Sequence, residues 1–176
     1  ILKDPTFKGT LFNTFFYLII QVPIMLILAV IFASLLNNRD LKFRGLFRTC
    51  IFLPCATGLV AYSMIFRTLF TYDGMVNNML LKFGLISEAI NWLNDPVYAK
   101  AVIIIGLVWR WTGYNMVFYL SAMQSIDYSI YEAARIDGAN SYQQLMRITI
   151  PLLRPIILVT AIMSTNGTLQ LFDESV

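Results

Sequence analysis

Long apolar runs bounded by short polar segments recur four times along the chain. They cover residues 11–36, 49–70, 101–122 and 156–176. A helix needs about 20 mainly apolar residues to cross the hydrocarbon core of a bilayer. The first run carries no charge, the third contains Arg110, and the fourth becomes polar from Ser164 and is only marginally long enough. The pattern predicts four membrane-spanning helices.

The first run is interpreted as a span and not as a secretory signal. It is longer than the apolar part of a signal peptide, and no small-residue cleavage pattern follows it. The sequence starts at Ile1 and stops at Val176 in the middle of a motif, so we expect a segment of a longer protein with helices missing on both sides.

Composition supports a membrane protein, because 58% of the 176 residues are hydrophobic and 13% are charged. Soluble domains are roughly 45–50% apolar and about 25% charged. We therefore expect an all-α, polytopic membrane protein that forms one transmembrane domain over residues 1–176 and contains no sheet. Short helices are expected in its loops, including the outer connection between Met75 and Leu93.

Lysine and arginine residues predict the orientation, because they concentrate in cytoplasmic loops. One side of the predicted spans carries seven: Arg39, Lys42, Arg44, Arg48, Arg135, Arg147 and Arg154. The other side carries four: Lys3, Lys8, Lys82 and Lys100. The richer side is predicted to be cytoplasmic, which places a loop at residues 124–155 inside the cell.

Several kinds of chemistry are excluded by the residues that are absent. Without histidine and with only two cysteines, the chain offers no Ser-His-Asp or Cys-His nucleophilic site and none of the common histidine-rich metal sites. None of its glycines opens a Gly-x-x-x-x-Gly-Lys-Ser/Thr phosphate-binding loop, so we expect any energy source to lie on another chain. No dense basic block points to nucleic acid. Cys50 and Cys55 are interpreted as small buried apolar residues.

The predicted cytoplasmic loop has two helical segments. Good helix formers run from Ser129 to Asp137, with Ser129 three residues before Glu132 as in a capping box, and Gly138 is a plausible helix stop. A second short helix is predicted from Ser141 to Ile150. From the residues alone, a solvated amphipathic loop and a docking element for a partner are both open interpretations.

Six residues of this loop stand in the order and spacing of a known signature. They are Glu132, Ala133, Ala134, Gly138, Ile148 and Pro151. The pattern resembles the EAA signature of the membrane subunits of ATP-binding-cassette (ABC) importers, from which Ile150 departs where the signature has leucine. Further stretches resemble the carbohydrate branch, which includes maltose, lactose, raffinose and glycerol-phosphate permeases. These are Asn13-Thr14, Phe52-Leu53-Pro54, Trp109 with Gly113, and Phe172-Asp173.

The resemblance implies the fold of a type I ABC importer, with the four spans as the second to fifth helices of a six-helix core. It also implies a multi-pass subunit of the bacterial plasma membrane that is not itself an enzyme. Its partners would be an ABC ATPase dimer that holds ATP and magnesium, a second permease subunit, the bilayer, and an extracytoplasmic sugar-binding protein over the connection 71–100. The residues implied in ATPase coupling are Glu132, Ala133, Ala134, Asp137, Gly138, Ile148 and Pro151.

Polar residues within the spans are candidates for the sugar pathway, because polar groups at membrane depth usually face a cavity or the bundle interior. They are Arg110, Asn115, Asn166 and Gln170. Arg110 shares a helix face with Gly106 and Gly113, so a place in a helix interface is the alternative. Trp109, Trp111, Tyr114 and Tyr119 are able to stack on sugars, and equally to mark the membrane interface.

Other functions stay open beside a sugar importer. The same importer class carries amino acids, peptides or phosphate. A secondary transporter or channel would need paired ionisable residues or inverted repeats in the spans, where only Arg110 stands out. The docking loop by itself is also compatible with an assembly or anchoring protein that does not transport anything.

Overall fold

In a computed structural model of the chain, residues 5–38 and 41–170 are described, and this part of the chain is helical with no strand. The helices are α1 (Pro5–Asn37), α2 (Arg44–Ala56), α3 (Leu59–Leu69), α4 (Met75–Lys82), α5 (Pro96–Gln124), α6 (Tyr128–Ile136), α7 (Ser141–Gln144) and α8 (Ile150–Leu169). A π-helical turn, Leu145–Thr149, joins α7 to α8. The predicted all-α fold is confirmed.

Three helical stretches are long and apolar enough to cross a membrane. They are Leu11–Asn37, Pro96–Gln124 and Ser141–Leu169, of 27, 29 and 29 residues. At about 1.5 Å per residue, each is longer than the roughly 30 Å of a hydrocarbon core. The last stretch begins fifteen residues before the predicted fourth run, because α7, the π turn and α8 follow one another without a break.

The predicted second span is not one helix. Residues 44–69 form α2 and α3, which meet at an angle of 99°. Thr57 and Gly58 between them are extended, with ψ angles of 136° and 148°. Pro54, inside α2, has no N–H for the carbonyl of Cys50 and so weakens the last turn of the helix. The Thr57 hydroxyl donates to the carbonyl of Leu53 at 3.0 Å. Local backbone chemistry therefore divides this run into a bent pair.

The core lies where α5 packs against α1 and α8. Its buried apolar side chains include Ala29, Ala33, Met116, Tyr119, Leu120, Met123 and Leu153. The small alanines let the backbones of α1 and α5 approach closely, as is common between helices in membranes. The hydroxyls of Tyr119 and Thr160 lie 2.6 Å apart and join α5 to α8 inside this core.

The connection 71–100 contains the expected short helix, α4, and is organised by one buried amide. Asn77 of α4 donates through Nδ2 to the carbonyls of Tyr72 (2.9 Å) and Ile90 (2.8 Å). Its Oδ1 accepts from the N–H of Ile90 (3.2 Å) and from Nε1 of Trp92 (2.8 Å). The Trp92 ring packs edge-on to Phe70 at the end of α3, at a centroid distance of 5.6 Å. The connection is thereby fastened to α3.

The interpretation of both cysteines as buried is wrong for Cys50. Its side chain is exposed on α2, and that of Cys55 is half-buried. Lys3 and Arg39, used in the orientation count, and the Phe172-Asp173 pair lie outside the described residues.

Candidate coupling loop and membrane cavity

The first helix of the loop, α6, begins at an aspartate. Asp127 is its N-cap, and its carboxylate accepts the backbone N–H of Ser129 at 3.0 Å. Ser129 was expected to provide this cap, but it lies inside the first turn. The hydrogen bond from the Ser129 backbone lowers the pKa of Asp127 below its ordinary value. The charged cap is therefore fully present above the usual aspartate pKa, and it is lost only as the pH falls through the lowered value.

Gly138 ends α6, as predicted. Its φ angle is +79°, a region that side chains with a Cβ rarely adopt. The N–H of Gly138 donates to the carbonyl of Arg135 (3.0 Å), and the N–H of Ala139 donates to that of Ala134 (2.9 Å). This pair of bonds is the Schellman motif, which satisfies the last carbonyls of a helix.

The second helix of the loop starts with a reciprocal cap. Asn140 Oδ1 accepts the N–H of Gln143 (2.8 Å), and Gln143 Oε1 accepts the N–H of Asn140 (2.9 Å). The buried amide of Gln144 then donates to the carbonyl of Ala139 at 2.9 Å. The four residues from Asp137 to Asn140 are therefore held as one tight turn between α6 and α7.

A groove of about 330 Å³ lies along this turn. It is lined by Ala134, Asp137, Gly138, Ala139, Gln143, Arg147 and Ile148. Four of the seven residues implied in coupling meet here. Glu132 and Ala133 are instead exposed on α6, and Pro151 is half-buried in the first turn of α8. Gln143 and Arg147, which also line the groove, were not expected.

A cavity of about 420 Å³ lies between α1, α5 and α8. It is lined by Gln21, Met25, Leu107, Trp111, Tyr114, Asn115, Met163, Ser164, Gly167 and Thr168. Gln21 and Asn115 are each only 2% exposed. The Thr168 hydroxyl lies 3.1 Å from Gln21 Oε1, and Asn115 Nδ2 donates to the carbonyl of Trp111 at 3.1 Å. Buried amides and aromatic rings thus meet between the three helical stretches that are long and apolar enough to cross a membrane.

Of the four predicted pathway residues, only Asn115 lines this cavity. Asn166 and Gln170 are exposed on α8, away from Ser164 and Thr168. Their amides lie 3.5 Å apart, with Gln170 donating to Asn166. Gln21 was missed as a candidate, although a polar residue inside the otherwise apolar run 11–36 is a usable signal.

Arg110 lies in a helix interface, the alternative left open by its sequence. Its guanidinium carbon is 5.2 Å from the ring centroid of Tyr62 on α3 and 5.3 Å from that of Trp111. Such cation–π contacts stabilise a desolvated charge. Gly106, one turn away, faces the Tyr62 hydroxyl, and Gly113 faces the backbone of Ile51 on α2. The structure therefore places Arg110 between α3 and α5.

Metal ligands are not grouped in the described part of the chain. Within residues 5–38 and 41–170, no three histidine, cysteine, aspartate or glutamate side chains come together as such a group. The polar side chains that do line the membrane cavity are the amides of Gln21 and Asn115 and the hydroxyls of Tyr114, Ser164 and Thr168, beside the indole of Trp111.

Comparison with known families gives a match over nearly the whole chain. Residues 5–173 match the family described as "Binding-protein-dependent transport system inner membrane component". The lactose transport system permease protein LacF of Rhizobium radiobacter is 58% identical over 172 residues, which cover 98% of this chain. The chain spans 58% of the length of that relative.

Two solved structures have the same fold. One is a bacterial ABC transporter involved in the import of the acidic polysaccharide alginate, with a TM-score of 0.87 and 26% identity over 97% of this chain and 59% of the other. The second is a bacterial alginate ABC transporter in complex with an alginate pentasaccharide-bound periplasmic protein. It has a TM-score of 0.79 and 28% identity, and covers 92% of this chain and 56% of the other.

Proposed function

Because this chain belongs to the family of binding-protein-dependent transport system inner membrane components, we propose that it is part of a membrane subunit that carries a sugar through the bilayer. Its partners are a cytoplasmic ABC ATPase pair, a second permease subunit and an extracytoplasmic sugar-binding protein. ATP hydrolysis takes place on the ATPase, so this chain contributes transport and no catalytic residue.

The capped helix α6 and its exposed side chains are the observation that supports this proposal most directly. α6 is capped at both ends, by Asp127 and by Gly138, and presents Glu132 and Ala133 outward. Ile136 is 87% exposed on the same short helix. A rigid helix that offers a carboxylate and an apolar side chain is suited to a protein partner, because charge and buried apolar area act together at interfaces. We assign this surface to the ATPase.

We expect Glu132→Ala to lower the amount of ATPase that co-purifies with the complete permease by about tenfold or more, because it removes a charged contact. Gly138→Val should act similarly, since a left-handed backbone costs a residue with a Cβ about 1–2 kcal/mol. The measurement is the ratio of ATPase to permease after affinity purification in detergent.

Two matched controls belong to this experiment. Glu88→Ala removes an exposed carboxylate of the outer connection, and Gly45→Val adds a side chain where nothing lies within 4 Å. Both should keep the full amount of ATPase. Normal co-purification of Glu132→Ala and Gly138→Val would show that the loop is not the docking element.

The cavity between α1, α5 and α8 is proposed as part of the sugar pathway. Asn115, one of the predicted pathway residues, lines this cavity together with Gln21 and Thr168. Amides and hydroxyls exchange hydrogen bonds with sugar hydroxyls, and Trp111 and Tyr114 offer ring faces at a mutual centroid distance of 5.8 Å. The relative LacF is named for lactose transport, and a neutral sugar fits this lining.

We expect Asn115→Leu to reduce sugar uptake by the complete transporter about tenfold, because it removes a buried polar contact of about 1–2 kcal/mol. Asn166→Leu makes the same change on the exposed face of α8 and serves as the comparison. Uptake is measured in liposomes at equal permease content. Loss of uptake in Asn166→Leu with normal uptake in Asn115→Leu would move the pathway to the other face of α8.

A further inference from the structure

One extra residue is inserted where the loop meets the membrane helix. Leu145–Thr149 is a π turn, and the N–H of Ile150 bonds to the carbonyl of Leu145, five residues earlier. The α-helix would use the residue four earlier. Such single π turns are rare, are less favourable than α-helix, and are frequent at functional sites. Something in the surrounding structure must therefore hold this one in place.

A hydroxyl pair ties the π turn to α6. Thr149 is 4% exposed, and its Oγ1 lies 3.0 Å from the hydroxyl of Tyr131. The same Oγ1 lies 3.3 Å from the carbonyl of Gln144, at the start of the turn. Tyr131 is the residue before Glu132, and its ring is half-buried while Glu132 is exposed. The bond thus runs from the inner side of the docking helix to the end of the π turn.

The other side of the π turn belongs to the membrane core. Leu145, the first residue of the turn, and Ile150, the residue after it, pack against the cluster that contains Ala29, Met116 and Leu153. The helix is weak just beyond it, because Pro151 and Pro155 have no N–H for the residue four positions earlier. The π turn therefore connects α8, which packs in the hydrophobic core, to a loop that is held by the hydrogen bonds of Thr149.

We propose that Tyr131 and Thr149 are positioning residues that hold the π turn and transmit movement of α6 to α8. This inference rests on the proposed function and names how its docking loop is connected to the pathway. When the ATPase displaces α6, Tyr131 carries Thr149 with it. Without the pair the turn relaxes to α-helix. The loop then rotates about the axis of α8 by about 100°, which is the rotation that one residue contributes to an α-helix.

The test compares variants that remove or keep one hydroxyl in the complete transporter. Tyr131→Phe and Thr149→Val remove the pair with little change of shape, and Thr149→Ser keeps the hydroxyl. Tyr142→Phe removes a hydroxyl from an exposed ring of the same loop. Sugar imported per ATP hydrolysed is measured in liposomes that contain the ATPase and the binding protein.

We expect sugar imported per ATP to fall about fivefold in Tyr131→Phe and in Thr149→Val, as for the loss of about 1 kcal/mol of coupling. The double variant should be no worse than either single one. Thr149→Ser and Tyr142→Phe should match the unmodified protein, and all variants should still co-purify with the ATPase. An unchanged ratio in Tyr131→Phe would overturn the inference.

A distance measurement keeps the proposal testable should Thr149→Val fail to fold. Spin labels are attached at Tyr142→Cys and Leu158→Cys, two exposed positions on either side of the π turn. The free cysteines Cys50 and Cys55 are replaced by serine so that only these two sites are labelled. We expect their distance to change between the ATP-free and the vanadate-trapped transporter, and to stay constant in Tyr131→Phe. A constant distance in the unmodified protein would overturn the inference, whereas a loop that does not bind the ATPase would overturn the proposed function instead.

Discussion

Replacement of Gly113 by valine is expected to reduce the free energy of unfolding of the permease by about 3 kcal/mol and to prevent normal accumulation in the membrane. A side chain at this position would overlap the backbone carbonyl of Ile51. A backbone group cannot rotate away as the end of a flexible side chain does, so α2 would have to separate from α5. Membrane levels and thermal unfolding in detergent measure the effect.

Alanine substitutions provide the control for Gly113. A single Cβ already overlaps Ile51 in Gly113→Ala, whereas Gly167→Ala in α8 meets no atom within 4 Å. We expect a graded loss from alanine to valine at residue 113 and almost none at residue 167. Stability of Gly113→Val equal to that of the unmodified protein would mean that α2 and α5 are not packed this closely.

Replacement of Asn77 by leucine is expected to unfold the connection 71–100. It leaves the N–H and carbonyl of Ile90, the carbonyl of Tyr72 and Nε1 of Trp92 without the amide they contact. An unsatisfied buried polar group costs about 1–3 kcal/mol, so the loss from this group as a whole should reach about 3 kcal/mol or more. Limited proteolysis of residues 83–89 in the purified permease should become several times faster.

Asn78 offers a matched comparison one residue away. It is exposed, and its amide donates to the carbonyl of Asp73 at 3.1 Å. Asn78→Leu should therefore leave proteolysis almost unchanged, and Asn77→Asp should be intermediate because it keeps the acceptor and loses the donor. Equal proteolysis of Asn77→Leu and Asn78→Leu would contradict the central role of Asn77.

Interactions between residues close in sequence were the predictable part of the candidate site. The stop at Gly138 follows from the backbone freedom of one residue, and the two loop helices follow from nearby helix formers. The cap at Asp127 was missed because Ser129 offers an equally good capping side chain. The choice between the two depends on where the chain leaves α5, which is a property of the fold.

Interactions between distant residues were the unpredictable part. Gln21 and Thr168 share a hydrogen bond although they are 147 positions apart in the sequence. Asn115 Nδ2 lies 3.6 Å from Met25 Sδ, although these two residues are 90 positions apart. Arg110 at mid-helix was a pathway candidate because a buried charge is costly, and only the fold shows that its guanidinium lies 5.2 Å from the ring centroid of Tyr62 on α3. Which partner satisfies a polar group depends on the helix that packs beside it, and a single helix carries no such information.

Composition and spacing along the chain were sufficient to predict a helical protein apolar enough to span a membrane, and to locate the loop that contains Glu132 and Gly138. Bilayer thickness and backbone conformation act on short stretches, so composition and spacing are sufficient there. Three features could be seen only in the folded chain: the cavity around Asn115, the hydrogen bonds of the Asn77 amide and the contact of Tyr131 with Thr149. These depend on side chains that meet only after the helices have packed.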